Sequence, residues 1–169
     1  ERVELIAEVN LYEKYWEVYT NTGAIQARYI SSDSRIVRSI IGEGSEIYGE
    51  VYGSVIGANV VVGKGSVVRD SIVMQGTVIG DNVVLDKAIV AEDCQIGNNV
   101  KVGVGQYAPS KFNPKVYSSD PAVIGEKSVV PDNVSIGRNT AISGATEAAD
   151  YTDSFLESGD SIIKAGVKA

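Results

Sequence analysis

Written in rows of seventeen, the middle of this chain lines up with itself. Residues 56–72 read IGANVVVGKGSVVRDSI, residues 73–89 read VMQGTVIGDNVVLDKAI and residues 90–106 read VAEDCQIGNNVKVGVGQ. Each row divides into segments of six, six and five, and each segment opens with an aliphatic residue. A fixed period of this length marks a stack of identical small units rather than a closed globule. Three aliphatic columns result: Ile56, Val73 and Val90; Val62, Ile79 and Ile96; Val68, Leu85 and Val102. Three short sides per row predict a triangular coil with one column along each inner side. Every strand then pairs with the coil above and the coil below, so only the two ends leave edges open. Each Val, Ile or Leu buried in this way contributes roughly 1.5–3 kcal/mol before the entropy of ordering is subtracted.

Two further columns keep the same register. Four residues after each aliphatic stands a small or β-branched residue: Val60, Ser66, Thr77, Val83, Cys94 and Val100. These are predicted to point inward near the corners. Three residues after each aliphatic stand Asn59, Gly65, Gly76, Asn82, Asp93 and Asn99. Gly, Asn and Asp tolerate positive φ, which a corner every six residues requires. The composition agrees, because Val and Ile dominate the apolar residues and suit extended backbone.

The repeat opens irregularly at Ile41, Ile47, Val51 and Ile56. It breaks at about 104–122 and resumes with Ile124, Val130, Ile136 and Ile142. Asn133 and Asn139 again fill the corner column, whereas Lys127 is not a residue type that favours it. The interruption holds three of the four prolines and reads as a loop ejected from the stack. Its Tyr107, Phe112 and Tyr117 anchor either the loop itself or a neighbouring subunit. Residues 4–19 have the apolar character of a short helix, and residues 144–169 read as a C-terminal tail. Arg69 and Lys87 read as outward-facing strand residues.

Composition narrows the chemistry. The formal net charge is −7, which repels nucleic acid. No apolar run is long enough to cross a bilayer as a helix, and no signal-peptide pattern opens the chain. The single cysteine, Cys94, has no internal partner and reads as a packed thiol in a reducing cytoplasm. The chain contains no histidine, the commonest general base and zinc ligand. No G-x-G-x-x-G or Walker pattern lies between a strand and a helix. The acidic residues form no repeated dyad. The sequence therefore nominates no catalytic residue and no metal ligand.

The six-residue repeat with Ile-Gly openings at 41–42, 56–57, 79–80, 96–97, 124–125 and 136–137 resembles the hexapeptide-repeat proteins. That resemblance implies an all-β, single-stranded, left-handed parallel β-helix, although parallel crossovers are generally right-handed. Hexapeptide acyltransferases rely on a histidine base and γ-class carbonic anhydrases on histidine ligands, so the absence of histidine argues against both.

More specific wording points elsewhere. NLYEKYWEVYT (10–20), IVRSIIGEGSEIYGEVYGSVIG (36–57), VVRDSIVMQGTVIG (67–80) and LDKAIVAEDCQIG (85–97) resemble, in order, the C-terminal part of bacterial glucose-1-phosphate adenylyltransferases. Residues 20–29 lack the proline-rich connector that many members carry. The resemblance implies that residues 1–29 are a linker, partly helical, from the end of an absent N-terminal catalytic domain. Residues 30–169 would then be the β-helix domain. The implied parent joins ATP and glucose 1-phosphate into ADP-glucose and pyrophosphate for glycogen synthesis. The present piece would be catalytically silent, with no cofactor of its own and Mg²⁺ expected in the catalytic domain. Its implied partners are that domain, other copies in a cytoplasmic homotetramer, and a small anionic phosphorylated effector. LESGDSIIKAG (156–166) resembles the family's last strand, where a lysine helps hold the effector. This nominates Lys164, with Arg138 and Lys127 as extensions of a basic patch. The same three cations also fit solvated surface positions. Two other readings keep the fold: an inactive sister subunit or related sugar nucleotidyltransferase, and a stand-alone scaffold or interaction protein.

Overall fold

The computed structural model describes residues 25–164, so the helix expected over 4–19 lies outside the described residues. The described chain winds through three parallel sheets in rotation, first, second and third face, and then begins the next coil, except that the last coil passes the first face without a strand. The first face contains Tyr29–Ile30, Glu46–Ile47, Val61–Val62, Val78–Ile79, Gln95–Ile96 and Val129–Val130. The second contains Arg35–Val37, Glu50–Tyr52, Val67–Arg69, Val84–Asp86, Lys101–Val104, Ser135–Gly137 and Phe155–Leu156. The third contains Ile40–Ile41, Val55–Ile56, Ile72–Val73, Ala88–Val90, Ala122–Ile124, Ala141–Ser143 and Ser161–Ile163. Most strands are only two or three residues long. They persist because nearly every strand has a neighbour on both sides, and a turn follows at once.

The register follows the period of seventeen: Val61 pairs with Val78, Val78 with Gln95, and Val84 with both Val67 and Lys101. Inward residues stack directly over one another. Ile56, Val73 and Val90 line the third face; Val62, Ile79 and Ile96 line the first; Val68, Leu85 and Val102 line the second. All nine are buried. The small inward column is buried as well, and Ser66, Thr77 and Cys94 are bonded, whereas among the described residues the Ser128 hydroxyl has no partner. The Thr77 hydroxyl donates to the Ala91 carbonyl (2.8 Å) and accepts from the Cys94 N–H (3.2 Å).

Every corner residue expected to adopt positive φ does so, including Asn59, Asn82, Asp93, Asn99, Asn133 and Asn139. Lys127 holds the same conformation at φ 56°, so the geometry of the corner overrides side-chain preference. The corner between the second and third faces was less legible, because its positive-φ residues are Arg38, Gly53, Asp70 and Lys87. Lys87 is thus a corner residue rather than a strand residue, whereas Arg69 lies in a strand beside Asp86. A serine ladder reinforces this corner. The Ser39 hydroxyl accepts from the Ser54 N–H, that of Ser54 from the Ser71 N–H, and that of Ser71 from the Ala88 N–H.

The ejected loop runs between Val104 and Ala122, at the corner between the second and third faces. The segment after residue 143, a tail in the sequence reading, adds two strands. Phe155–Leu156 pairs with Ser135–Gly137, and Ser161–Ile163 pairs with Ala141–Ser143. Leu156 and Ile162 pack against the core, so this segment caps the stack.

Candidate functional site

The nominated cations lie at the C-terminal end of the stack, in two places. Lys164 follows the last strand of the third face, and its N–H donates to the Ser143 carbonyl (3.0 Å). This approach needs Gly144. Its φ is +96°, and a Cβ there would come within 2.7 Å of the Lys164 Cβ. The Lys164 ammonium lies 3.1 Å from Glu147 Oε1 and 3.2 Å from Asp150 Oδ2. The acids are positioned by the short 3₁₀ turn Ala148–Asp150, in which the Glu147 N–H donates to Asp150 Oδ2 (2.7 Å). Hydrogen bonds to Glu147 and then to Asp150 raise the Lys164 pKa, so the ammonium stays charged. The Asp150 carboxyl is pushed down, first by the Glu147 N–H and then by Lys164.

Lys127 occupies the same edge of the prism, the corner between the third and first faces, two coils earlier. Two coil spacings correspond to about 10 Å. Its backbone N–H donates to the Glu92 carbonyl (2.9 Å). Arg138 lies on a different edge, between the second and third faces. Its Nε donates to the Gly103 carbonyl (3.2 Å), and its Nη1 lies 3.2 Å from Asp120 Oδ2. Asp120 also receives the Lys87 ammonium at 2.9 Å. Lys87 and then Arg138 hold the Asp120 carboxyl below its ordinary range. The structure therefore brings Lys164 and Lys127 to one edge and places Arg138 on another. There Arg138 staples the ejected loop to the coil.

Further contacts fasten the rest of the loop, and the sequence reading gave no anchoring role to Asn139, Lys111 or Gly159. Asn139 Nδ2 donates to the Ala108 carbonyl (2.9 Å), and Lys111 reaches Asp160 (2.7 Å). Gly159, at φ +80°, lets the Pro109 carbonyl come within 2.3 Å of where a Cβ would stand. Phe112 and Tyr117 face one another within the loop, with ring centroids 6.4 Å apart. The sequence signal for these anchors was weak, because corner residues look alike whether or not a loop leans on them.

Elsewhere the surface is shallow. A groove of about 230 Å³ beside Tyr48, Glu50 and Lys64 is open and mixed in charge. Among the described residues no three His, Cys, Asp or Glu side chains converge to hold a metal. Cys94 is fully buried, and burial pushes its thiol pKa up. None of these features supplies an activated nucleophile or a general base.

The model of the GlmU-like C-terminal hexapeptide family matches residues 25–124. The chain belongs to that family. Hexapeptide coils wind left-handed, so the solenoid is the left-handed parallel β-helix. Over 166 residues it is 49% identical to the glucose-1-phosphate adenylyltransferase of Lachnospira eligens, covering 98% of this chain and 39% of that protein. It is 37% identical to the protein of the same name from Acetivibrio thermocellus over 164 residues, covering 97% and 38%. The counterpart from Thermotoga sp. RQ2 is 43% identical over 164 residues, covering 95% and 39%. This hexapeptide chain matches the C-terminal part of these relatives and spans about two fifths of their length.

Proposed function

We propose that this chain is the C-terminal assembly and regulatory domain of an enzyme that forms ADP-glucose and pyrophosphate from ATP and glucose 1-phosphate. The observation that carries this reading is the match along 98% of the chain to relatives of that name. Among the described residues no catalytic constellation forms, and in this reading the chemistry and its Mg²⁺ are assigned to a preceding catalytic domain. A rigid prism with hydrogen-bonded layers suits the remaining tasks. It holds catalytic domains at fixed distances in a cytoplasmic homotetramer, and it offers an edge at which a small anion is sensed.

Within that reading Lys164 is the main effector contact, and Lys127 lies within reach of the same anion. A phosphate would replace Glu147 and Asp150 as the partner of the Lys164 ammonium. Exposed ion pairs are weak and easily screened, and a phosphate offers stronger charge-assisted hydrogen bonds. Arg138, committed to Asp120 and Gly103, contributes through the loop it holds. The test is an assay of the parent enzyme with ATP and glucose 1-phosphate, across anionic metabolites such as sugar bisphosphates and keto acids. Lys164→Ala is expected to bring the ratio of activated to basal rate close to one. An unchanged ratio removes Lys164 from the effector site, and no ADP-glucose from the parent removes the reading altogether.

A further inference from the structure

The edge between the third and first faces repeats one hydrogen bond, and its last turn breaks the repeat. In each coil the strand of the third face is followed by a three-residue corner, and then by an inward residue that opens the first face. Three of these inward residues donate to the first corner residue of the next coil. The Ser45 hydroxyl donates to the Gly57 carbonyl (2.8 Å), the Thr77 hydroxyl to the Ala91 carbonyl (2.8 Å) and the Cys94 thiol to the Gly125 carbonyl (3.1 Å). Ser128 is next in this column, and Ser143 stands where Gly125 stands one coil earlier. The Ser128 hydroxyl is buried and does not bond that carbonyl; among the described residues it has no partner. The Ser143 carbonyl is turned instead to the coil beyond, where it accepts the Lys164 N–H (3.0 Å).

The backbone of this corner differs in the same place. Each earlier corner on the edge has its third residue at positive φ: Gly44, Asn59, Gly76, Asp93 and Lys127. The second residue, Glu43, Ala58, Gln75, Glu92 or Glu126, is not at positive φ. The last corner has two such residues in succession, Gly144 at 96° and Ala145 at 50°. Positive φ at the second position follows from rotating the peptide that joins Ser143 to Gly144, and that peptide carries the redirected carbonyl. Glycine takes this rotation without steric cost. A Cβ on Gly144 would also stand 2.7 Å from the Lys164 Cβ and 3.0 Å from the Lys164 carbonyl oxygen. One carbonyl thus has two donors within its rotation: the Lys164 N–H on one side and the buried Ser128 hydroxyl on the other. Leaving a buried hydroxyl unpaired is costly, so the two settings are close in free energy.

We propose that the Ser143–Gly144 peptide is a two-position switch that sets whether Lys164 is held at the edge of the prism. In the position seen, the carbonyl holds the Lys164 N–H, and the ammonium lies against Glu147 and Asp150. In the other, the carbonyl accepts the Ser128 hydroxyl as in the earlier coils, the corner returns to a single positive φ, and the last strand releases Lys164. Ser128 is then a positioning residue for Lys164, acting from inside the core. An anion that binds Lys164 in the held position draws the population toward it. This link to an effector rests on the functional reading above, whereas the switch itself does not.

Hydrogen exchange of the Lys164 amide, followed by NMR on the 169-residue chain, reads the switch without an effector or a catalytic domain. Ser128→Ala deletes the competing donor and is expected to slow that exchange about tenfold, the factor that corresponds to one hydrogen bond of a buried hydroxyl. Ser128→Thr keeps the donor, with the residue type that Thr77 already places in this column, and is expected to exchange as the wild type does. The Gly159 amide donates to the Arg138 carbonyl in the same last coil (2.9 Å), so it reports fraying of that coil and is expected to be unchanged by either variant. Gly144→Ala is expected to act in the opposite sense, leaving the Lys164 amide unprotected and, in a crystal structure, the Ser128 hydroxyl bonded to the Ser143 carbonyl. Lys164 exchange that Ser128→Ala leaves unchanged, or slows only together with Gly159, overturns the proposal, because the hydroxyl then does not compete. So does an ordered water on Ser128 Oγ in a crystal structure of the wild type, or a Gly144→Ala chain in which Lys164 stays protected.

Discussion

Leu85 and Val84 are adjacent in one strand and point to opposite sides of it, so they test the coil register. Leu85 is completely buried, stacked between Val68 and Val102. Val84 faces outward and is half-buried, between Val67 and Lys101. Leu85→Ala removes three carbons, a transfer loss of about 2.4 kcal/mol at roughly 0.8 kcal/mol per carbon. The cavity adds to this, because the strands above and below are fixed by hydrogen bonds at about 4.8 Å and cannot close on it. The expected total is about 3–4 kcal/mol, within the range measured for buried leucines. In a chain of this size that corresponds to a fall in Tm of roughly 6–16 °C. Val84→Ala loses only partly buried methyls and some strand preference, about 0.5–1 kcal/mol. Thermal melts followed by circular dichroism give both numbers. Equal falls for the two variants, or a larger one for Val84→Ala, would refute the inward and outward assignment on which the fold rests.

Other consequences follow from the corners, the loop and the thiol. Lys127→Asn keeps the left-handed corner with a residue better suited to it and should raise stability by about 0.5–1 kcal/mol, read as a higher Tm. Asp120→Asn removes the acceptor shared by Lys87 and Arg138, and limited proteolysis should then cut the loop at residues 105–121 faster. Because the Asp120 pKa is lowered in the fold, its contribution is present above the unfolded carboxylate value of 3.8 and is lost as pH falls through the folded one. Wild-type loop cleavage, measured with an acid-active protease, should therefore accelerate toward low pH, while Asp120→Asn shows little such dependence. Cys94 is buried with a raised pKa, so a thiol reagent should find no reactive group until denaturant is added and one group afterwards. Reaction at the rate of a free thiol in the folded protein would contradict the packing.

The coil was legible because three demands share one period. Inward aliphatics, small corner residues and positive-φ residues all recur together, so Leu85, Thr77 and Asn82 could be placed without coordinates. The corner between the second and third faces escaped because Arg38 and Lys87, two of its four positive-φ residues, are not types that favour that conformation. The two final strands escaped because only Leu156 and Ile162 mark them, without a complete row to align. The site was least legible. Lys164 and Arg138 look alike in the sequence as cations near the same end. Their partners, Glu147 and Asp150 for one and Asp120 and Gly103 for the other, are separated from them in sequence by between 14 and 35 residues. Those partners are set by which edge of the prism each cation occupies.

The most direct test of the functional reading is to purify the protein from its native source, determine the length of the chain that carries this sequence, and assay it with ATP and glucose 1-phosphate. The account predicts a longer chain with this β-helix at its C-terminal end, an oligomer that releases pyrophosphate and ADP-glucose. A native chain of only these 169 residues, with no such activity, would contradict it and leave a bare β-helix whose role is to bind other proteins.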